Sequence, residues 1–182
     1  MAKATEELME EHRVIERMLN IVGRACDRLE QGEEVDREVF AGAAEFFRNF
    51  ADKCHHGKEE SLLFEKMVER GMSKTQGPIA VMLSEHDTGR AHVRQIAQLS
   101  GRTLYKESKE DLVKHGRAYV GLLSAHIQKE DGILYPMADR ILTEDDQRFL
   151  ERGFEDVEEK IMGPGVHEKY HKMIEEWEEK LA

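Results

Sequence analysis

Four long stretches of this chain repeat apolar residues at steps of three and four, a spacing that only an α-helix turns into one continuous face. The first, about 5–31, carries Leu8, Ile15, Leu19, Val22, Cys26 and Leu29. The second, about 36–71, carries Phe40, Phe47, Phe50, Ala51, Cys54, Leu62 and Leu63. Ile79, Met82, Leu83, Val93, Ile96 and Ala97 mark the third, which Pro78 opens and Gly101 closes. Leu112, Tyr119, Leu122, Leu123, Ile133, Leu134 and Met137 mark the fourth, about 108–138. Gly32 ends the first stretch, Asp36 is placed to cap the second, and 71–77 reads as a loop. Long amphipathic helices on short connections predict an all-α fold, an antiparallel up-down four-helix bundle.

Beyond it, Thr143-Glu144-Asp145-Asp146 reads as a helix start with Asp146 in the place of the usual Glu, and Gly163-Pro164-Gly165 is a break. Two further helices follow, to about Ile161 and from His167 to Leu181. The predicted organisation is a bundle over 1–140 and a C-terminal helical extension over 141–182, docked on the bundle through Trp177.

A formal net charge of −11 repels phosphates, which argues against nucleic acid and anionic membrane as partners. No apolar run is long enough to span a bilayer, and the charged start lacks an apolar signal core. These features lead us to expect a cytoplasmic protein. Cys26 and Cys54 are too few for a disulfide framework and read as packing residues.

The histidines contradict this apolar pattern. His12 stands in the stripe of the first helix, between Leu8 and Ile15. His86 lies four residues after Met82, and His126 four after Leu122, with Glu130 one turn on. Helix 2 offers two pairs at i, i+4, His55/Glu59 and His56/Glu60. His55 and Glu59 continue the line of Phe47 and Ala51, whereas His56 and Glu60 continue Asn49, Asp52 and Lys53, which reads as solvent face. His55 and Glu59 are therefore the predicted inward pair. An internal repeat supports them: residues 55–64, HHGKEESLLF, align without gaps with residues 126–135, HIQKEDGILY. A buried carboxylate costs several kcal/mol unless paired or bound to metal. Imidazole with carboxylate, and no thiolate, suits iron, manganese or zinc better than calcium or magnesium. The expected ligands are His12, His55, His86 and His126 as terminal groups and Glu59 and Glu130 as bridges.

His12 in Glu-Glu-His, His55-x-x-x-Glu59-Glu60-x-x-Leu63-Phe64, Glu85-His86, and His126-x-x-x-Glu130-Asp131-x-x-Leu134-Tyr135-Pro136 together resemble the hemerythrin family in its bacterial His-His-Glu cation-binding branch. The resemblance covers roughly the first 140 residues. It implies an oxo- or hydroxo-bridged pair of iron ions, with manganese or zinc compatible with the same donors. It also implies reaction with O2, peroxide or nitric oxide, or iron handling. Two departures stand out. Arg90 occupies the place of a second helix 3 His in the oxygen carriers, which implies an open position on one metal. Those carriers take a bridging carboxylate from the place of Asp131, where the repeat and the helical face favour Glu130.

Tyr119 and Arg90 are the candidates for a proton donor and a gate. Glu16 reads as a partner of Arg13, and His115 as a residue further out toward the bundle end. His167-Glu168-Lys169-Tyr170-His171 fits a short zinc-protease pattern, but in a terminal helix with no third ligand it reads as coincidence. Three functions fit: a module that binds or senses a diatomic or peroxide ligand or handles iron, a peroxidase- or catalase-like enzyme, and a metal-free structural bundle. The sequence leaves the oligomeric state open, a dimer included.

Overall fold

The computed structural model describes residues 3–102 and 105–182. It is all-helical among those residues, with six helices. Helix α1 is Ala4–Glu30. Helix α2 spans 37–69 as one continuous rod: α-helical over Arg37–Phe46, π-helical over Phe47–His56 and Glu59–Leu63, and α-helical again over Phe64–Glu69. Helix α3 is Pro78–Leu99. Helix α4 spans 109–141, with a π-helical turn at Glu130–Leu134 between Lys109–Lys129 and Tyr135–Ile141. Helices α5, Glu144–Ile161, and α6, Val166–Lys180, form the C-terminal part.

The stops and starts follow local chemistry. Asp36 accepts from the Glu38 amide at the head of α2. Thr143 and Asp146 cap α5 reciprocally, and Pro78 sits in the first turn of α3. Gly32 turns the chain at φ 79°, a backbone region that disfavours side chains.

Helices α1 to α4 pack in a ring in which each touches the next and α4 returns to α1. They alternate in direction: Thr5 bonds Asp139 and Arg117 pairs with Asp27 across α1 and α4, and Arg37 bonds the Ser100 carbonyl while Arg90 meets Asp52 across α2 and α3. The apolar interior is split in two. A larger cluster surrounds Phe40, Phe46, Phe47 and Tyr119, and a smaller one gathers Leu8, Leu63, Phe64, Leu134, Tyr135 and Phe154. A polar layer separates them, and it holds the predicted ligands.

The C-terminal helices complete both halves. Leu150 and Phe154 of α5 join the smaller cluster, and Tyr170, Ile174 and Trp177 of α6 join the larger. Trp177 lies so close to Gly42 that a Cβ there would stand 2.3 Å from the indole. Arg17 holds Glu178 through two hydrogen bonds of 2.9 and 2.7 Å.

One apolar expectation fails: Ile133, placed inward by α-helical spacing, is 56% exposed. It lies in the π-helical turn of α4, where the wider i→i+5 turn shifts the phase of each following residue.

Candidate metal centre

Counted at the α-helical turn of about 100° per residue from the inward Phe47, His56 falls on the opposite side of the helix. The π-helical stretches of α2 turn by less at each residue, and the accumulated shift in phase brings His56 round to the side of Phe47. His55, His56 and Glu59 are all buried. His56 is only 5% exposed, which corrects the reading of its position as solvent face. Glu60, read the same way, is half-buried and bonded to His86.

Two overlapping sets of donors result. His12, His55, Glu59 and Glu130 form one; His56, His86, His126 and Glu59 form the other. In each, the candidate ligand atoms lie within 4.8 Å of one another. The two carboxylates span the sets. Glu130 places Oε2 3.2 Å from His12 Nε2 and Oε1 3.1 Å from His126 Nε2. Glu59 Oε2 lies 3.4 Å from His86 Nε2 and 3.8 Å from His55 Nε2. All six residues predicted as ligands from the sequence thus converge, and His56 joins them as a seventh.

Each imidazole is held from behind. His12 Nδ1 is 2.7 Å from Asp131, His55 Nδ1 2.7 Å from Glu11, and His86 Nδ1 2.7 Å from Glu60. His126 Nδ1 is 2.8 Å from Glu85, and His56 Nδ1 3.4 Å from Asp52. A carboxylate at Nδ1 fixes the proton there and leaves the Nε2 lone pair facing the centre.

A further layer holds the carboxylates. Lys58 binds Glu11 at 2.7 Å, Lys129 binds Glu85, Arg13 binds Asp131, and Arg90 binds Glu60 at 2.6 Å. These contacts obey the internal repeat. Lys58 and Lys129 are equivalent positions, as are Glu60 and Asp131. In each half a Lys steadies the carboxylate that holds its own helix's His, and the second acid holds the His of a neighbouring helix. Two positions break the symmetry: His56 faces Ile127 in the alignment, and Phe64 faces Tyr135. Tyr135 stacks on His12 and donates to Glu59 Oε1 at 2.7 Å, whereas Phe64 stacks on His86.

The electrostatics of this layer demand positive charge. Burial and the facing Glu130 carboxylate push Glu59 well above the usual carboxyl range. Burial would also raise Glu130, but His12 and His126 hold it well below that range. Burial opposes protonation of His12 and His126, yet the carboxylates around them draw both above the ordinary imidazole value. His55 and His56 are pushed well below it by burial and neighbouring imidazoles. His55 Nε2, Glu59 Oε2 and both Glu130 oxygens are buried without a hydrogen-bond partner of acceptable geometry. His55 Nε2 and Glu59 Oε2 therefore face each other without a proton donor, and Glu130 depends on positive charge at its imidazole neighbours, an arrangement that cations would satisfy. The donor set fits two metal ions.

Tyr119 and Arg90 lie beside the set that contains His56. They line a cavity of about 290 Å³ with Phe47, His56, His86 and Leu123. Arg90 is bound to Asp52, Glu60 and Asp87, so it braces the carboxylates behind His56 and His86. Glu16 pairs with Arg13 at 3.3 Å. His115 lies away from the centre, 3.1 Å from His92. Cys54 and Cys26 are buried, their thiols pushed up to about 12 and about 11 by burial. Glu168 and His171 are exposed and join no donor set among the described residues.

The model of the hemerythrin HHE cation binding domain matches residues 3–138. The chain belongs to this family. Its curated relatives include uncharacterized proteins of Mycobacterium tuberculosis and Mycobacterium bovis, each 25% identical over 173 residues that cover 87% of this chain and 67% of theirs. This HHE domain therefore carries a cation-binding site, and its buried His and Glu clusters are placed to form it. No described helix is long and apolar enough to cross a membrane.

The sequence could have indicated the carboxylates behind the histidines. Glu11 and Glu85 each directly precede a site His, and Glu60 and Asp131 are matched in the repeat. His56 carried no such signal, because its orientation depends on the π-helical backbone.

Proposed function

We propose that this chain is a non-haem two-iron protein that binds a small redox ligand: O2, nitric oxide or peroxide. The observation that carries the reading is the pair of buried carboxylates, Glu59 and Glu130, whose unpartnered oxygens stand between two groups of imidazole nitrogens. His12 and His55 would hold one ion, His56, His86 and His126 the other, and the two carboxylates would serve both. Nitrogen and oxygen donors without thiolate favour iron over a structural zinc site. Bound iron would supply electrons and a Lewis-acidic position for the ligand. The protein's own part is to fix each imidazole by its Nδ1 partner, to exclude bulk water, and to leave the cavity beside His56 and His86 as the way in. A metal-free structural bundle would need protons on His12 and His126 to hold Glu130, and would still bury His55 Nε2 and Glu59 Oε2 without a partner.

A peroxide-consuming enzyme is the second reading, favoured by Tyr135. Its phenol is fully buried, donates to Glu59, and is held well above its ordinary value by burial and the two carboxylates, so it stays protonated at the centre. Iron-loaded protein separates the two. Reversible spectral change with O2 or nitric oxide and no turnover supports the binding module. Steady peroxide consumption, reduced at least tenfold in Tyr135→Phe with iron content unchanged, supports the enzyme. Protein that takes up no iron would refute both.

A further inference from the structure

The cavity beside His56 and His86 is far larger than a diatomic ligand needs. At about 290 Å³ it holds the liquid-volume share of roughly ten waters. That places it near the lower bound, about 300 Å³, of pockets that take small organic molecules. Its walls are apolar for much of their extent: Phe47, Gly89, Val93, Tyr119 and Leu123. Gly89 lets the wall helices close on each other, since a Cβ there would stand 3.3 Å from the Tyr119 ring.

Its charged residues are unevenly matched. Asp52 is held by His56 and Arg90, and Glu85 by His126 and Lys129. Arg90 is spent on three acids. Arg48 and Arg94, which also line the cavity, are exposed and form no ion pair or hydrogen bond among the described residues. Two unmatched guanidiniums beside an apolar cavity, on a chain of net charge −11, form a local positive spot in a negative field.

We infer that this cavity binds a small organic anion, its apolar body against Phe47, Val93, Tyr119 and Leu123 and its carboxylate on Arg48 and Arg94. A planar carboxylate suits the guanidinium fork. The inference deepens the proposed function, because it names what besides a diatomic ligand reaches the three-histidine end of the centre. It does not need iron to be present for binding.

Calorimetry on the full chain, both iron-loaded and metal-free, tests it with acetate, hexanoate, benzoate, inorganic phosphate and azide as probes. Hexanoate or benzoate is expected to bind at least tenfold more tightly than acetate in both forms. Arg48→Ala and Arg94→Ala are each expected to weaken binding about fivefold, and Val93→Trp, which fills the cavity, to abolish it. Both arginines are exposed, so these two variants remain informative even where Val93→Trp fails to fold. Binding of azide or phosphate alone, equal affinity for acetate and hexanoate, or affinity unchanged in both arginine variants would overturn the inference. Iron content of the same samples is read separately. Carboxylate binding to protein that takes up no iron would refute the two-iron reading and leave the cavity as inferred, and full iron loading without carboxylate binding would do the reverse.

Discussion

The ring of His56 stacks on that of His86, with centroids 3.8 Å apart and planes 16° from parallel. One histidine comes from α2 and the other from α3. The second helix 3 His of the oxygen carriers is replaced by Arg90, and His56 reaches the same end of the centre from the neighbouring helix. Where the resemblance implies an open position at Arg90, His56 would supply an imidazole from the neighbouring helix. His56→Ile, which copies the Ile127 found at the equivalent place in the repeat, should fold and should lower affinity for one of two irons at least tenfold. Metal titration monitored by absorbance should then show one tight and one weak site. Two equal, unweakened sites would remove His56 from the centre.

Lys58 and Lys129 occupy equivalent places in the repeat but differ in burial. Lys58 is fully buried against Glu7 and Glu11, while Lys129 is 38% exposed. Lys58→Met leaves Glu11 buried without its cation, and loss of one partner of a buried pair costs about 3–5 kcal/mol. Urea unfolding should register that loss. Lys129→Met should leave stability near wild type and act through Glu85 and His126, lowering metal affinity about tenfold, as loss of an outer partner does.

Acid should destabilise the metal-free protein through His56. Its folded value lies well below 6.5, where the unfolded chain titrates. Below about pH 6.5 the unfolded state therefore binds one more proton than the native state at this residue. Stability falls as pH falls, by about 1.4 kcal/mol per pH unit for each such group, until the folded value is reached. His12 and His126 are shifted upward and act in the opposite sense, so the clean readout is a difference. The slope of unfolding free energy against pH between 6 and 5 should be shallower in His56→Ile than in wild type. Parallel slopes would mean that His56 is not held neutral.

Gly42 tests how α6 is attached. Gly42→Ala would drive a methyl group into the Trp177 indole, 2.3 Å away before any shift. Overpacking of this kind costs about 1–3 kcal/mol. The expected outcome is increased Trp177 solvent exposure, read as a red shift and stronger acrylamide quenching, with the iron centre intact. Unchanged fluorescence would show that the helix docks elsewhere.

The helices, their order and most of their ends were legible because apolar spacing, glycines and caps act locally, as at Asp36, Pro78 and Thr143. The convergence of His12, His55, His86 and His126 was legible because each sits on an apolar stripe. His56 and Ile133 were misplaced for one shared reason. Both lie in π-helical turns, and a helical wheel drawn at constant pitch assigns the wrong face to residues there. Glu11 and Glu85 stand next to site histidines in the sequence, but the imidazoles they hold, His55 and His126, lie on other helices, as do their partners Lys58 and Lys129. Only the packing of neighbouring helices reveals those pairings.

Glu59 and Glu130 would let two metal ions share one polar layer. Elemental analysis of the full chain reconstituted anaerobically with ferrous iron and then desalted tests it most directly. About two irons per chain are expected, falling toward one in His56→Ile and toward none in the Glu59→Ala, Glu130→Ala double variant. Wild-type protein that retains no iron, or a double variant that retains as much as wild type, would contradict this arrangement.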